Sequence, residues 1–89
     1  MLPTEAVVTT DHDEIKRWAT HRHARPVQSM STGEVRLDLP ADDSPEVERP
    51  IGWDTWFDRF ERDHLAFLYY RRQANNEVPT YNELVARAA

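Results

Sequence analysis

A chain of 89 residues, 39% of them apolar, can close one hydrophobic core, so a single domain is expected. The absence of cysteine removes disulfides and thiolate metal sites, and leaves three Trp, three Phe and three Tyr as the large anchors for that core. The net charge of −5 is sorted along the chain: Asp38, Asp42, Asp43, Glu46 and Glu48 face a single arginine between positions 38 and 49, while residues 16 to 25 hold Lys16, Arg17, Arg22 and Arg25 with no acid.

The opening MLPTEAVVTT lacks the basic flank and apolar stretch of a signal peptide. No apolar run approaches the roughly 20 residues of a membrane span, and a cytoplasmic protein is expected. Residues 1–9 show no periodicity and are expected to be a flexible terminus, with one α+β domain over 10–89. A helix is predicted from a cap at Thr10 or Asp11, with Asp13 or Glu14 completing a capping box. Ile15, Trp18 and Ala19 form its apolar stripe at i, i+3 and i+4. Pro26 drives Arg25 out of the helical region, so the helix ends before it.

PVQSM and EVRLDL then flank STG, a hairpin whose turn has Gly33 for positive φ. Val35, Leu37 and Leu39 alternate with Arg36 and Asp38, a half-buried strand. Residues 40–50, acidic and with Pro40, Pro45 and Pro50, are expected to be a mobile loop. A second helix follows at WDTWFDRFERDH, with Trp53, Trp56, Phe57, Phe60 and His64 on one face and Arg59–Asp63 and Asp58–Arg62 as helical ion pairs. LAFLYY is apolar at every position and predicts a central strand. RRQANNEVP is a turn, and Thr80 with Glu83 forms a capping box before a short C-terminal helix. The predicted order is α-β-β-α-β-α, a three-stranded, mainly antiparallel sheet packed against helices.

Four chemistries bear on these residues. A metal site has only His21 and His23 as candidates. They would need a third ligand from His64 or the acidic loop, since His12 and His23 on one helix stand about 16 Å apart, and no metal is expected. A phosphate backbone could meet Lys16, Arg17, Arg22 and Arg25 through salt-dependent contacts, although the chain is acidic overall. Catalysis is not expected: Gly33 and Gly52 are the only glycines, so dinucleotide and phosphate-loop fingerprints are excluded, and the paired Asp42 and Asp43 sit in a proline-rich segment. Tyr69 and Tyr70 point to opposite faces of a strand, beside Arg71 and Arg72. That composition suits a protein interface.

At TTDHDEIKRWA, EVRLDLP, IGWDTWFDRFERDHLAFLYYRR and YNELVAR, the chain resembles a group of small stand-alone bacterial proteins of unknown function. They share a pattern of T-D-H-D-x-I-x-x-W, L-R-I-D-x-P, I-S-W-D-x-F-F-x-x-F-x-x-x-x-L-A-F-L-Y and F-N-K-L-V. The resemblance begins at Thr9 and departs at His21–Arg25, where the pattern has E-R-G-G-x-P, and at Gly52 and Trp56, where it has Ser and Phe. Some members carry the label of glucan branching enzyme. Such chemistry belongs to (β/α)₈ barrels of about 250 residues with two carboxylates across a sugar cleft, so the label is not carried over. The expectation is a soluble, non-catalytic domain without cofactor that binds an unidentified protein partner, with nucleic-acid contact through residues 16–25 as the alternative.

Overall fold

In the computed structural model, which describes residues 6–40, 47–71 and 79–88, the chain runs β1 (Ala6–Thr9), α1 (His12–His21), β2 (Arg25–Ser29), β3 (Val35–Asp38), β4 (Glu48–Pro50), α2 (Trp53–Arg62), β5 (Leu65–Tyr70) and β6 (Asn82–Ala86). Among these described residues the class is α+β, with two helices and two three-stranded antiparallel sheets, ordered β1-β5-β6 and β3-β2-β4. The element order is β-α-β-β stated twice. The first strand of each half leaves its own half and pairs with the middle strand of the other: β1 on β5, and β4 on β2. The molecule measures 40 × 33 × 21 Å, the depth of one helix layer on one sheet layer.

Both helices form for reasons visible in their ends and stripes. Asp11 caps α1 by accepting from the Glu14 amide at 3.1 Å. Ile15, Trp18 and Ala19 are buried, as are Trp56, Phe57 and Phe60 on α2. At the end of α1 the Ala24 amide donates to Ala19 O at 2.9 Å and the His23 amide to Thr20 O at 3.3 Å, a Schellman closure. His23 occupies its left-handed position at φ 56°, and His64 stands in the matching place after α2 at φ 52°.

A histidine in that conformation carries a penalty that glycine lacks. His23→Gly is therefore expected to stabilise the protein by about 1 kcal/mol, raising Tm by about 4–8 °C for a domain of this size. Thermal unfolding followed by circular dichroism checks it, and an unchanged or lowered Tm would refute it.

The strand pairings put Leu65, Phe67, Tyr69, Thr9 and Leu84 on one face of the first sheet. Trp18 meets that face, edge-on to Phe67 with centroids 5.2 Å apart. In the second sheet Val35 and Leu37 face the same core, joined by Trp56, Phe60 and Ile15. Trp56 stacks on Phe60 at 5.4 Å and its indole N–H donates to Arg36 O at 3.0 Å. The opposite face of the second sheet is charged: Arg36 binds Glu48 at 2.8 Å and Arg25 binds Asp38 at 2.9 Å, flanking buried Val27.

Three expectations are corrected. Ala6–Thr9, expected to belong to a flexible terminus, is an edge strand, because its partner lies far away in sequence at Phe67–Tyr70. Glu48–Pro50, expected to be loop, is likewise a strand. The Ile51 amide donates to Pro26 O and the Met30 amide to Val47 O, so Pro50 falls at a register position where it need not donate to β2. Residues 41–46 of that expected loop lie outside the described residues, as do residues 72–78 of the expected turn. The third correction is the C-terminal helix, which is β6. Its five residues pair in register along β5, while Glu83, instead of closing a capping box, accepts from the Tyr81 hydroxyl at 2.5 Å. β5 is central in its sheet, as its apolar character on both faces required.

A carboxylate ties both helices to the chain end. Glu61 accepts from Arg87 at 3.1 and 3.2 Å and meets His12 Nε2 at 2.8 Å, while the His12 ring stacks on Phe57 at 3.9 Å. The Arg87 hydrogen bonds, then that of His12, lower the Glu61 pKa from 4.5 to about 2. A folded-state pKa below the unfolded one gives stability that is complete above pH 4.5 and is lost as pH falls towards about 2. Glu61→Gln is expected to flatten the loss of stability across that window. Urea midpoints measured between pH 5 and pH 2 check this, and parallel profiles for parent and variant would refute it.

Candidate functional site

The stripe that buries Ile15, Trp18 and Ala19 turns Lys16, Arg17, Thr20 and His21 outward. Beside this face, β5 ends in Tyr69 and Tyr70, followed by exposed Arg71. Between them runs an open groove of about 570 Å³ lined by the basic residues Arg17, His21, Arg22 and Arg71 and by Trp18, Tyr69 and Tyr70. Glu14 is the one carboxylate among the described residues that line it. A shallower hollow of about 340 Å³ continues along α1 past Lys16, Arg17 and His21.

The two sets of residues singled out in the sequence, one for phosphate and one for protein contact, thus share a single groove. They do not share a role. The Arg22 guanidinium lies 4.3 Å over the Trp18 ring, donates from Nε to Pro79 O at 2.7 Å and from Nη1 to Trp18 O at 3.1 Å. It holds the end of α1 to the segment leading into β6. Arg25 lies on the outer face of the second sheet, bonded to Asp38. Lys16 and Arg17 are exposed on α1.

The tyrosines divide as strand geometry demands. Tyr69 faces inward, stacked on Phe67 at 5.8 Å and tilted against Trp18 at 6.3 Å, with its hydroxyl bonded to Glu14. Burial, then the Glu14 hydrogen bond, raises its pKa above the usual 10. Tyr70 lies on the other face, with its ring 5.7 Å from that of Tyr81. Arg72 lies outside the described residues.

His21 sits at the rim of the groove, whereas His23 closes the helix, so the pair is split between two surroundings. Among the described residues no three of His, Cys, Asp and Glu are grouped to hold a metal ion. Sequence reasoning missed Glu14, which entered only as a capping-box residue. Its carboxylate instead accepts from Thr9 Oγ1 at 2.9 Å and from Tyr69, linking β1, α1 and β5 at the edge of the groove. The W-x-x-x-R spacing of Trp18 and Arg22 was the available signal for their stacking.

No helix among the described residues is long and apolar enough to cross a membrane. Comparison with known protein families, curated proteins and solved structures returned no significant match, so the functional reading stands on these residues and their geometry.

Proposed function

We propose that this chain is a non-catalytic binding module that takes an acidic segment of a partner protein in the groove between α1 and β5. The observation that carries the proposal is the convergence of Arg17, His21 and Arg71 with Trp18, Tyr69 and Tyr70 around one open groove. Arginine beside tyrosine and tryptophan is the composition in which binding energy concentrates at protein interfaces. Arginines at the rim steer an acidic partner and set its register, while the half-buried Tyr69 and Tyr70 at the end of β5 supply apolar area. Glu14, the groove's carboxylate, is held by Thr9 and Tyr69, which suits a structural rather than an acid–base role. The groove's openness favours an extended segment over an enclosed small molecule.

Nucleic-acid contact through residues 16–25 is the second reading, favoured by Lys16 and Arg17 standing exposed on one helix. Arg22 and Arg25 support it less, since each is engaged within the protein. The test is Lys16→Glu combined with Arg17→Glu. Both positions are exposed, so stability is expected to change by no more than about 0.5 kcal/mol. Binding of a fluorescent twelve-residue peptide of glutamates interspersed with phenylalanine should weaken about tenfold or more, read by anisotropy. Unchanged binding by the folded variant would refute the proposal.

A further inference from the structure

The third strands of the two halves, β3 and β6, are edge strands, each hydrogen-bonded on one side only among the described residues. They flank a cleft of about 530 Å³ lined along β3 by Val35, Arg36 and Leu37 and along β6 by Asn82, Glu83 and Leu84. Consecutive residues alternate between faces of a strand. A cleft lined by consecutive residues of both strands is therefore bounded by their edges. A small hollow of about 150 Å³ continues it past Glu34, Val35 and Leu84, so β3 and β6 run in opposite directions along its sides.

The register says which backbone groups point into this cleft. The Ser29 amide donates to Glu34 O at 2.8 Å, which makes Ser29–Glu34 and, by alternation, Val27–Arg36 the bonded pairs of the hairpin. Val35 and Leu37 consequently turn their N–H and C=O away from β2. The Arg87 amide donates to His64 O at 2.8 Å, so Val85 and Glu83 bond β5 while Asn82 and Leu84 turn theirs away from it. Two rows of strand-spaced donors and acceptors thus face one cleft. Buried Val35 and Leu37, with half-buried Leu84, lie on its core side, and Arg36, Glu83 and exposed Tyr81 on the other.

We infer that this cleft accepts an extended strand from a partner polypeptide, which would join the two sheets into one. An extended backbone presents donors and acceptors on both sides at the strand period, as these two edges require. One residue of a strand within a sheet occupies roughly 160 Å³, taking 3.3 Å of rise, 4.8 Å of strand spacing and 10 Å of sheet depth. The cleft therefore holds about three residues. The incoming strand runs parallel to one edge and antiparallel to the other. It places an apolar side chain against Val35, Leu37 and Leu84 and polar ones between Arg36 and Glu83. This second surface is independent of the groove between α1 and β5.

The test is amide hydrogen exchange read by NMR on the intact protein, with an acetylated, amidated peptide of alternating Val with Lys and Glu as probe. Exchange at Val35, Leu37, Asn82 and Leu84 is expected to slow at least tenfold, with little change at Arg36, Glu83 and Val85, whose amides already bond within the sheets. The same peptide methylated on its valine amides should lose this protection. Uniform slowing, protection elsewhere, or none at millimolar peptide would overturn the inference. So would protection that rises with protein concentration in the absence of peptide, which would give the cleft to a second copy of the chain.

Discussion

Trp56→Ala is expected to lower the unfolding free energy by about 3–5 kcal/mol, the usual cost of removing a fully buried aromatic side chain. Trp56 has no exposed surface, stacks on Phe60 and crosses to the second sheet through its indole N–H on Arg36 O. Domains of this size have only about 4–13 kcal/mol in total, so the variant should lose from about a quarter to all of its stability. Trp56→Phe keeps a ring in the stack and gives up the hydrogen bond and part of the volume, at an expected cost of about 1–3 kcal/mol. Urea unfolding at pH 7 measures both. A Trp56→Ala protein within 1 kcal/mol of the parent would mean that the core is not organised around α2.

The second large effect separates two arginines in one groove. Arg22→Ala is expected to cost about 2–3 kcal/mol, because it removes two hydrogen bonds from a guanidinium and its stacking on Trp18. Arg22→Lys should recover little of this, since an ammonium cannot both stack and reach Pro79 O in the same geometry. Arg17→Ala is expected to fall within about 0.5 kcal/mol of the parent, as exposed helical positions do. Equal costs at the two positions would contradict the division between a structural arginine and a binding one. The comparison also guards the binding test, because a loss of affinity in an Arg22 variant would report on folding.

Much of the fold was legible where the signal is local. Caps, the Ile15–Trp18–Ala19 stripe, the alternation of Val35, Leu37 and Leu39, and the run from Leu65 to Tyr70 each state their structure within one window of sequence. β1 and β4 were hidden because their pairing is decided by distant residues: Ala6 sits opposite Tyr70, and Glu48 opposite Ser29. β6 was misread because Thr80 and Glu83 imitate a helix start, although the edge of β5 offers that segment a full ladder.

The duplication of the β-α-β-β unit was hidden as well. The capping positions Asp11 and Gly52 and the closing positions His23 and His64 recur at a constant offset. The buried residues between them differ, with Ile15, Trp18 and Ala19 in one helix and Trp56, Phe57 and Phe60 in the other. His23 closes α1 in the left-handed conformation, whereas His21 lines the groove, so the two neighbouring histidines have different surroundings. Of the candidate site, the residue types were visible in the sequence, but their convergence was not, since the groove exists only when β5 is laid against α1.

The most direct test of the binding proposal is an amide ¹H–¹⁵N spectrum of the intact protein at physiological salt, titrated in parallel with the glutamate–phenylalanine peptide and with a short DNA duplex. The peptide is expected to shift Arg17, His21, Tyr70 and Arg71 together, while the duplex leaves them in place. A spectrum unmoved by the peptide, or moved at residues 16–25 by the duplex alone, would contradict the proposal.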